Sequence, residues 1–288
     1  MNRLLLFEAG STKTTLSIIP DLNKGNVETF MMAGFNPNRP DDRFLDEVEF
    51  IDLDKGDSVV FYGSGLAGDK GQNRLKKFFQ NKGIQHIEIN NDMLGAARAL
   101  FETNPGIFVI MGTGAVAGYY NGQEIMNRQG GFGYLIDDFG GGYELGKRFV
   151  AAWLNGKLAE QVSQEIENHF EVPKKEFIET YYQAFKDDPK TALSSMAKLV
   201  EVCNAYRHEE IIQQTVQLYF ERFIEDTILP LTIEQKLDSF AAVGSIAYHF
   251  HQEIETAAKK HRLTLEKVIQ YPASNLIQYH LKRIMNDH

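Results

Sequence analysis

Glu8 and the residues that follow it could bind a phosphorylated ligand. The apolar run 4–7 ends at Glu8, a turn containing Gly10 follows, and β-branched residues resume at Thr14. This order predicts a buried strand, a tight turn and a returning strand. The backbone N–H groups of such a turn can bind phosphate oxygens, and an acid at the strand end can hold an accompanying metal ion through water. An ordinary hairpin with a solvated polar tip is the alternative.

The same layout occurs again later in the chain. An apolar run at 107–111 leads into a Gly-Thr-Gly turn at 112–114, and a returning apolar run follows at 115–120. A strand-turn-strand unit repeated in each half predicts two domains of like topology facing a cleft. A third turn, Gly244-Ser245, ends the apolar run 240–243. A helix N-terminus behind such a turn suits the phosphates or the ribose of a nucleotide.

Strand and helix patterns alternate between these turns, which predicts an α/β fold. Further strands are predicted at 27–33, 58–62, 87–90 and 265–269. Helices are predicted at 73–82, 93–101, 143–155, 247–260 and 275–285, and residues 157–229 are predicted to be largely helical.

One segment is unusually rich in glycine. Six of the thirteen residues at 130–142 are glycine, and Asp137 and Asp138 are the only acids among them. Because glycine lacks a side chain, this backbone can approach a ligand closely. A flexible loop is the alternative, and the aromatic and aliphatic residues within the segment disfavour it.

Composition narrows the class of protein. The 288 residues suffice for two domains, each with its own core. The formal charge of −9, with no basic arm, argues against a nucleic-acid partner. A single cysteine, Cys203, excludes an internal disulfide and a cysteine-rich metal cluster. No apolar run reaches the length of a membrane span. A cytoplasmic protein without a membrane partner is therefore expected.

Taken together, the turns resemble those of a known superfamily. Residues 8–14, Glu-Ala-Gly-Ser-Thr-Lys-Thr, resemble the first phosphate loop of the sugar kinase/Hsp70/actin superfamily. The turn 112–114 resembles its second phosphate loop, and 243–245 resembles its adenosine loop. Residues 92–100 and 276–280 are similar to small bacterial members of the N-acetylglucosamine kinase branch, also called the BadF/BadG/BcrA/BcrD ATPase family. The resemblance covers nearly the whole chain.

The resemblance implies an α/β fold of two actin-like ATPase (ribonuclease H-like) domains facing a nucleotide cleft. It implies an N-terminal domain at 1–106 and a C-terminal domain at 107–270 that contains a helical insertion. The terminal helix, 271–288, would pack back on the first domain. The oligomeric state is left open, and a homodimer is compatible with the resemblance.

It also implies roles for individual residues. ATP would be bound by the residues of the three turns: Gly10, Ser11, Thr12, Lys13, Thr14, Gly112, Thr113 and Gly114 for the phosphates, and Gly244 and Ser245 for the adenosine. Mg²⁺ would be held near Glu8. Asp92 would be the catalytic base, and Asn36, Asp92 and Asp138 would bind the sugar. From the sequence alone, Asp92 could also be the N-cap of the helix that it precedes, and Asn36 could serve only the turn chemistry of its loop.

The implied activity is ATP-dependent phosphorylation of a sugar or amino sugar. Two departures from the family pattern bear on it: Ala115-Val116-Ala117 replaces the usual Ser-Asn-Ser, and Phe139 replaces the acid expected after Asp138. A hydrogen bond lost at a buried site costs about 1 kcal/mol, enough to change the preferred substrate. Asp137 stands where glycine is expected, and Glu8 replaces a more common aspartate.

Three other activities are weighed against this one. The departures favour a catalytically altered protein of the same fold that binds a nucleotide or sugar as a sensor or scaffold. A dehydratase activator would need a cysteine-bound iron–sulfur cluster, which the lone Cys203 disfavours. A sugar-kinase-type DNA-binding repressor would need an added helix-turn-helix, and the sequence pattern shows none.

Overall fold

The structure is a computed structural model that describes residues 3–10, 13–20, 27–35, 43–66 and 68–286, without the side chain of residue 286. The chain divides into two compact units. Unit 1 comprises Met1–Asn104, Gly122–Ile125 and Pro272–His288. Unit 2 comprises Pro105–Asn121 and Met126–Tyr271. As domain boundaries, 1–106 and 107–270 stay a prediction.

In chain order the strands are β1 (Leu4–Ala9), β2 (Lys13–Ile19), β3 (Glu28–Ala33), β4 (Ser58–Gly63), β5 (His86–Asn91), β6 (Gly106–Met111), β7 (Ala115–Tyr120), β8 (Ile125–Gly130), β9 (Ser239–Val243) and β10 (Thr264–Ile269). The helices are α1 (Arg43–Glu49), α2 (Asp69–Asn81), α3 (Asp92–Phe101), α4 (Gly142–Leu154), α5 (Glu160–Phe170), α6 (Phe177–Asp187), α7 (Pro189–Ala205), α8 (Glu210–Phe223), α9 (Leu229–Gln235), α10 (Ser245–His249), α11 (His251–Lys260) and α12 (Ala273–Asn286). A π-helical turn, Ile224–Ile228, connects α8 to α9.

The two sheets have the same topology. In unit 1 the strand order is β3-β2-β1-β4-β5, and in the second sheet it is β8-β7-β6-β9-β10. In the first sheet β2 is antiparallel to β1 and β3, and β4 and β5 run parallel to β1. In the second, β7 is antiparallel to β6, whereas β9 and β10 continue in the parallel direction. The α/β repeat predicted from the two hairpins is confirmed.

The core of unit 1 is built on aromatic side chains. Phe7 of β1 packs against Phe61 of β4 and Phe44 of α1, with both ring centroids 5.7 Å away. Phe79 of α2 lies 5.6 Å from Phe7. Such pairs add to the stabilisation that burial of the apolar area provides. Because Phe7 immediately precedes Glu8, this cluster fixes the end of β1.

The core of unit 2 packs α4 between its sheet and the helices that follow. Trp153 of α4 is fully buried and lies 5.1 Å from Phe177, measured between ring centroids. A Cβ at Gly146 of α4 would lie 2.1 Å from the carbonyl oxygen of Met196 in α7. The two helices therefore contact each other through their backbones, which glycine alone permits at this position.

Three elements differ from the pattern-based predictions. Helix α1 is not predicted, because its seven residues are too few to show a clear period. Helix α2 begins at Asp69, four residues before the predicted start. The predicted helix 247–260 is two helices, α10 and α11, separated at Phe250. Phe250 is fully buried, with its ring 5.6 Å from that of Phe220, and this packing turns the chain.

Among the helices in the described part of the chain, none combines the length and apolarity needed to cross a membrane.

Candidate active site

Two acidic residues predicted for the site, Glu8 and Asp92, lie where parallel strands of unit 1 end. In the sheet Glu8 of β1 is level with Tyr62 of β4, and Tyr62 is level with Asn90 of β5. The N–H of Ser64, just after β4, donates to the carbonyl oxygen of Ala9 at 3.0 Å. Carboxyl ends of parallel strands share one sheet edge, so Glu8 and the start of α3 lie at the same edge.

Asp92 is the first residue of α3 and is not its N-cap. The cap is Asn91, whose side-chain oxygen accepts a hydrogen bond from the N–H of Leu94 at 2.8 Å. The alternative N-cap role of Asp92 is therefore wrong. The Asp92 carboxylate accepts hydrogen bonds from the N–H of Met93, at 3.0 Å, and from the side chain of Ser64. Burial raises the pKa of Asp92, and these hydrogen bonds only partly offset that effect.

Burial also raises the pKa of Glu8, to about 7. Lys13 and a hydrogen bond from the backbone N–H of Ala273 act in the opposite direction. Ala273 is the first residue of α12, so the carboxylate of Glu8 lies at the positive end of that helix. A cation bound at Glu8 would stabilise the ionised carboxylate in the same way.

The residues near Glu8 could coordinate Mg²⁺ only if a phosphorylated ligand and water supplied the other oxygen ligands. Within the described residues, no group of three or more His, Cys, Asp or Glu side chains could hold a metal ion. Mg²⁺ is commonly bound through one or two carboxylates, several waters and the phosphates of a substrate. Glu8 as the one carboxylate ligand matches that mode and does not match an all-protein metal cage.

The first turn is closed by a backbone hydrogen bond and contains one buried group that an anion could satisfy. Gly10 donates its N–H to the carbonyl oxygen of Lys13 at 2.9 Å, which closes the turn. The hydroxyl of Thr14 is buried and has no hydrogen-bond partner among the described residues. A buried hydroxyl without a partner is costly, and a bound ligand is one way to satisfy it. Ser11, Thr12 and Asn36 lie outside the described residues.

In unit 2 the second and third turns are neighbours. Ile110 of β6 is level with Val243 of β9 in the parallel sheet, so both strands end side by side. Gly244 has a φ of 122° and donates its N–H to the carbonyl oxygen of Ile269 at 2.9 Å. A Cβ at this position would lie 2.2 Å from the carbonyl oxygen of Met111. Glycine is required both by this contact and by the positive φ.

The glycine-rich segment packs directly on the second turn. The N–H of Gly142 donates to the carbonyl oxygen of Gly112 at 2.8 Å, and that of Tyr143 donates to the carbonyl oxygen of Thr113 at 2.9 Å. A Cβ at Gly141 would lie 2.5 Å from the Cα of Gly114. Between described residues, no hydrogen bond uses the N–H groups of Thr113 and Gly114. These are the amides that the turn can offer to a phosphate.

Asp138 lies against the same turn. A Cβ built on Gly114 would lie 2.7 Å from the side-chain carboxyl carbon of Asp138. One carboxylate oxygen accepts a hydrogen bond from the N–H of Gly133 at 3.3 Å. Burial raises the pKa of Asp138 to about 6; the Gly133 hydrogen bond lowers it, and the charges of Asp137 and Glu144 raise it further.

The two departures from the family pattern have different surroundings. Ala115 and Ala117 are buried in the core of unit 2. The ring of Phe139 packs against that of Tyr219, with centroids 4.6 Å apart and the ring planes tilted by 57°. The two alanines are therefore surrounded by apolar side chains. Phe139, by contrast, is the residue directly after Asp138 in the chain.

Within unit 1 the structure brings Ser64 to Asp92, a contact that the sequence analysis missed. The available signal was the Gly-Ser-Gly sequence at the end of a predicted strand. Within unit 2 it brings together the 112–114 turn, Asp138 and Gly244. The roles of all these residues stay predictions.

Comparison with known proteins gives structural matches only. No family model matches the sequence, and no curated protein matches it significantly. A candidate N-acetylglucosamine kinase from Porphyromonas gingivalis matches 98% of this chain and 99% of its own, with a TM-score of 0.83 and 27% identity. A second candidate N-acetylglucosamine kinase, from Chromobacterium violaceum, matches 96% of this chain and 98% of its own, with a TM-score of 0.67 and 14% identity. A non-polymerising mutant of MamK bound to AMPPNP matches 98% of both chains, with a TM-score of 0.53 and 10% identity.

The repeated sheet topology and these matches define the class: the chain has the two-domain α/β fold of the actin-like ATPases. Within that class it is similar in sequence as well as in fold to the Porphyromonas gingivalis protein. The predicted resemblance to the N-acetylglucosamine kinase-like family of the sugar kinase/Hsp70/actin superfamily is thereby confirmed.

Proposed function

We propose that the chain is an ATP-dependent sugar kinase that transfers the γ-phosphoryl group of ATP to a hydroxyl of a sugar or amino sugar. The observation that carries this proposal is the placement of Asp92. Its carboxylate is partly buried at the sheet edge where β1 and β5 end, and it forms no ion pair with any described residue. A carboxylate held by Ser64 and Met93 but not neutralised by a cation can accept a proton.

Asp92 would act as the general base. It would accept the proton of the sugar hydroxyl as that oxygen attacks the γ-phosphorus and the bond to the leaving ADP oxygen breaks. Burial brings its pKa closer to neutral pH, which strengthens it as a base. Ser64 would hold the carboxylate in position through its hydrogen bond.

The glycine turns would bind the nucleotide. The first turn would offer its backbone amides and the hydroxyl of Thr14 to phosphate oxygens, and the second would offer the N–H groups of Thr113 and Gly114. Gly244 and Ser245 would contact the adenosine. The likeness in fold to the AMPPNP-bound MamK mutant supports ATP as the nucleotide.

Glu8 would hold Mg²⁺ together with the phosphates and water. When bound, the ion neutralises negative charge on the phosphate oxygens as the phosphoryl group is transferred. Asp138 and Asn36 would bind hydroxyl or acetamido groups of the sugar. The substrate of this chain would be a small-molecule sugar, as the descriptions of the two candidate N-acetylglucosamine kinases suggest.

A kinase assay over a panel of sugars tests the proposal with Asp92→Asn. We expect turnover to fall about 10²- to 10⁴-fold, because the base is lost while the shape of the side chain is kept. Asp69→Asn is the matched control, since Asp69 is also the first residue of a helix in unit 1 and is exposed. Equal turnover by wild type and Asp92→Asn would remove Asp92 from its role.

Phe139 favours a second candidate, a catalytically altered sensor or scaffold. Its ring packs on Tyr219 where a relative would place an acid beside Asp138. Calorimetry with Mg-ATP separates the two candidates. Binding without sugar-stimulated turnover favours the sensor, and the absence of nucleotide binding contradicts the kinase.

A further inference from the structure

A concave site in unit 2 lies between α4 and α8 and is lined by none of the residues assigned to phosphate, metal or sugar. Its volume is about 500 Å³, within the range of sites for small molecules. Phe139, Tyr219 and Leu218 supply aromatic and aliphatic surface, and Leu218 is 66% exposed, so this surface is open to a ligand.

The charge of this site is opposite to that of the protein. Arg148, Lys157 and Arg222 line it, and no acidic residue does. The chain as a whole carries a formal charge of −9. A local excess of cations in an acidic protein concentrates anions at that place.

The guanidinium groups are positioned on the aromatic rings. The Cζ of Arg148 lies 5.3 Å from the centre of the Phe139 ring and 5.4 Å from that of Tyr219. The Cζ of Arg222 lies 5.7 Å from the same Phe139 ring. Stacking on a ring restricts an arginine while its N–H groups stay available to an anion. The two arginines are thereby held around one ring.

The cations are incompletely neutralised. The Nε of Arg222 lies 3.0 Å from a carboxylate oxygen of Asp226. Neither Arg148 nor Lys157 forms an ion pair with another described residue. Asp226 is the one carboxylate that forms an ion pair with the three lining cations among the described residues, and the charges of Glu144 and Asp138 also act on Tyr219. The lining itself carries three cations and no acid, which suits a doubly charged anion better than a singly charged one.

We propose that this α4–α8 site binds a small organic phosphate. The phosphate group would be bound by Arg148, Arg222 and Lys157, because guanidinium groups match phosphate oxygens with paired hydrogen bonds. The organic part would lie on the aliphatic and aromatic surface of Leu218 and Phe139. Such a ligand needs both the cationic side chains and the apolar surface of the site.

Calorimetric titration of the full chain with phenyl phosphate tests this inference. Phenyl phosphate should bind more tightly than inorganic phosphate, which lacks the apolar part, and more tightly than benzyl alcohol, which lacks the charge. Arg148→Gln should weaken phenyl phosphate binding about tenfold or more, since a charge-assisted hydrogen bond is lost. Arg207→Gln should leave the affinity within about twofold, because Arg207 pairs with Glu253 and does not line the site.

Phenyl phosphate could also bind at a glycine turn, and the variants distinguish the two places. Binding that Arg148→Gln and Arg222→Gln both leave unchanged would overturn the proposal, as would no binding at all. Equal affinities for phenyl phosphate and benzyl alcohol would also overturn it. Circular dichroism confirms that each variant is folded; should Arg148→Gln fail to fold, the exposed Lys157→Gln and Arg222→Gln variants decide the outcome. None of these measurements requires kinase activity.

Discussion

At the scale of single residues, the candidate site is defined by carboxyl groups that burial makes harder to ionise. The pKa values of Glu8, Asp92 and Asp138 are all raised, and burial is the largest cause for each. Desolvated carboxylates destabilise a fold unless they are paired, and such groups are concentrated at functional sites.

The backbone of Gly114 lies close to the carboxyl group of Asp138, and we predict that Gly114→Ala destabilises the fold. The new Cβ would lie 2.7 Å from the carboxyl carbon and one oxygen of Asp138. The displacement should lower the free energy of unfolding by about 1–3 kcal/mol, measured by urea denaturation. It should also weaken binding at the turn.

Gly10→Ala is the matched control, because its Cβ would meet the carbonyl oxygen of Lys13 only at 3.4 Å. Its effect on the free energy of unfolding should be smaller. Equal effects of the two alanine variants would show that the contact with Asp138 is not rigid.

At the scale of elements, helix α12 is joined to β4 and α3 by a buried polar network in unit 1. The hydroxyl of Tyr62 lies 2.8 Å from Nε2 of His280, and Arg98 donates to that hydroxyl at 2.8 Å. Arg98 also pairs with Glu88 at 2.5 Å. Because α3 begins with Asp92, this network positions the helix that carries the proposed base.

The network predicts a pH-dependent stability. Burial lowers the pKa of His280 to about 4, and the charges of Arg98 and Arg283 lower it further against the opposing charge of Glu88. Between about pH 4 and 6.5 the unfolded chain therefore binds a proton that the folded chain does not. The contribution of His280 to stability is complete above pH 6.5 and decreases as the pH falls toward 4.

His280→Gln removes this titration while keeping a group that can accept a hydrogen bond from Tyr62. The difference in free energy of unfolding between wild type and His280→Gln should therefore fall as the pH is lowered from 7 to 4, measured by urea denaturation. His208→Gln is the control, since His208 is largely exposed. A difference that does not change with pH would contradict the buried, neutral state of His280.

At the scale of the whole molecule, two units of the same topology each end their central strands in a glycine turn. If the chain binds Mg-ATP as proposed, the ligand must stabilise the folded state by mass action. At about 100 times the dissociation constant the expected gain is about 2.7 kcal/mol, seen as a rise in Tm.

A thermal scan with ATP, with and without Mg²⁺, measures this gain. Chelation of the ion by EDTA should reduce the shift, because in the proposed site the ion would accompany the phosphates at Glu8. An unchanged Tm at millimolar Mg-ATP would contradict the assignment of the glycine turns to a nucleotide.

Much of the fold could be predicted because its signals are local. The hairpins β1–β2 and β6–β7 follow from apolar runs interrupted by glycine, and strand and helix periods can be counted over a few residues. The helices of 157–229 follow in the same way. Helix α1 and the break at Phe250 could not be predicted. The conformation of a short element, or of the chain around a buried aromatic residue, depends on the residues from elsewhere in the chain that pack against it.

The sequence by itself determined the repeated α/β topology, the three glycine turns and the resemblance to the N-acetylglucosamine kinase-like family. Only the tertiary structure decided that Asn91 caps α3, that Ser64 reaches Asp92 and that Asp138 lies against Gly114. It also decided that Arg148 and Arg222 are held around one ring. The physical reason is separation along the chain: a turn is specified by adjacent residues, whereas these contacts arise only when strand ends and helices are packed together.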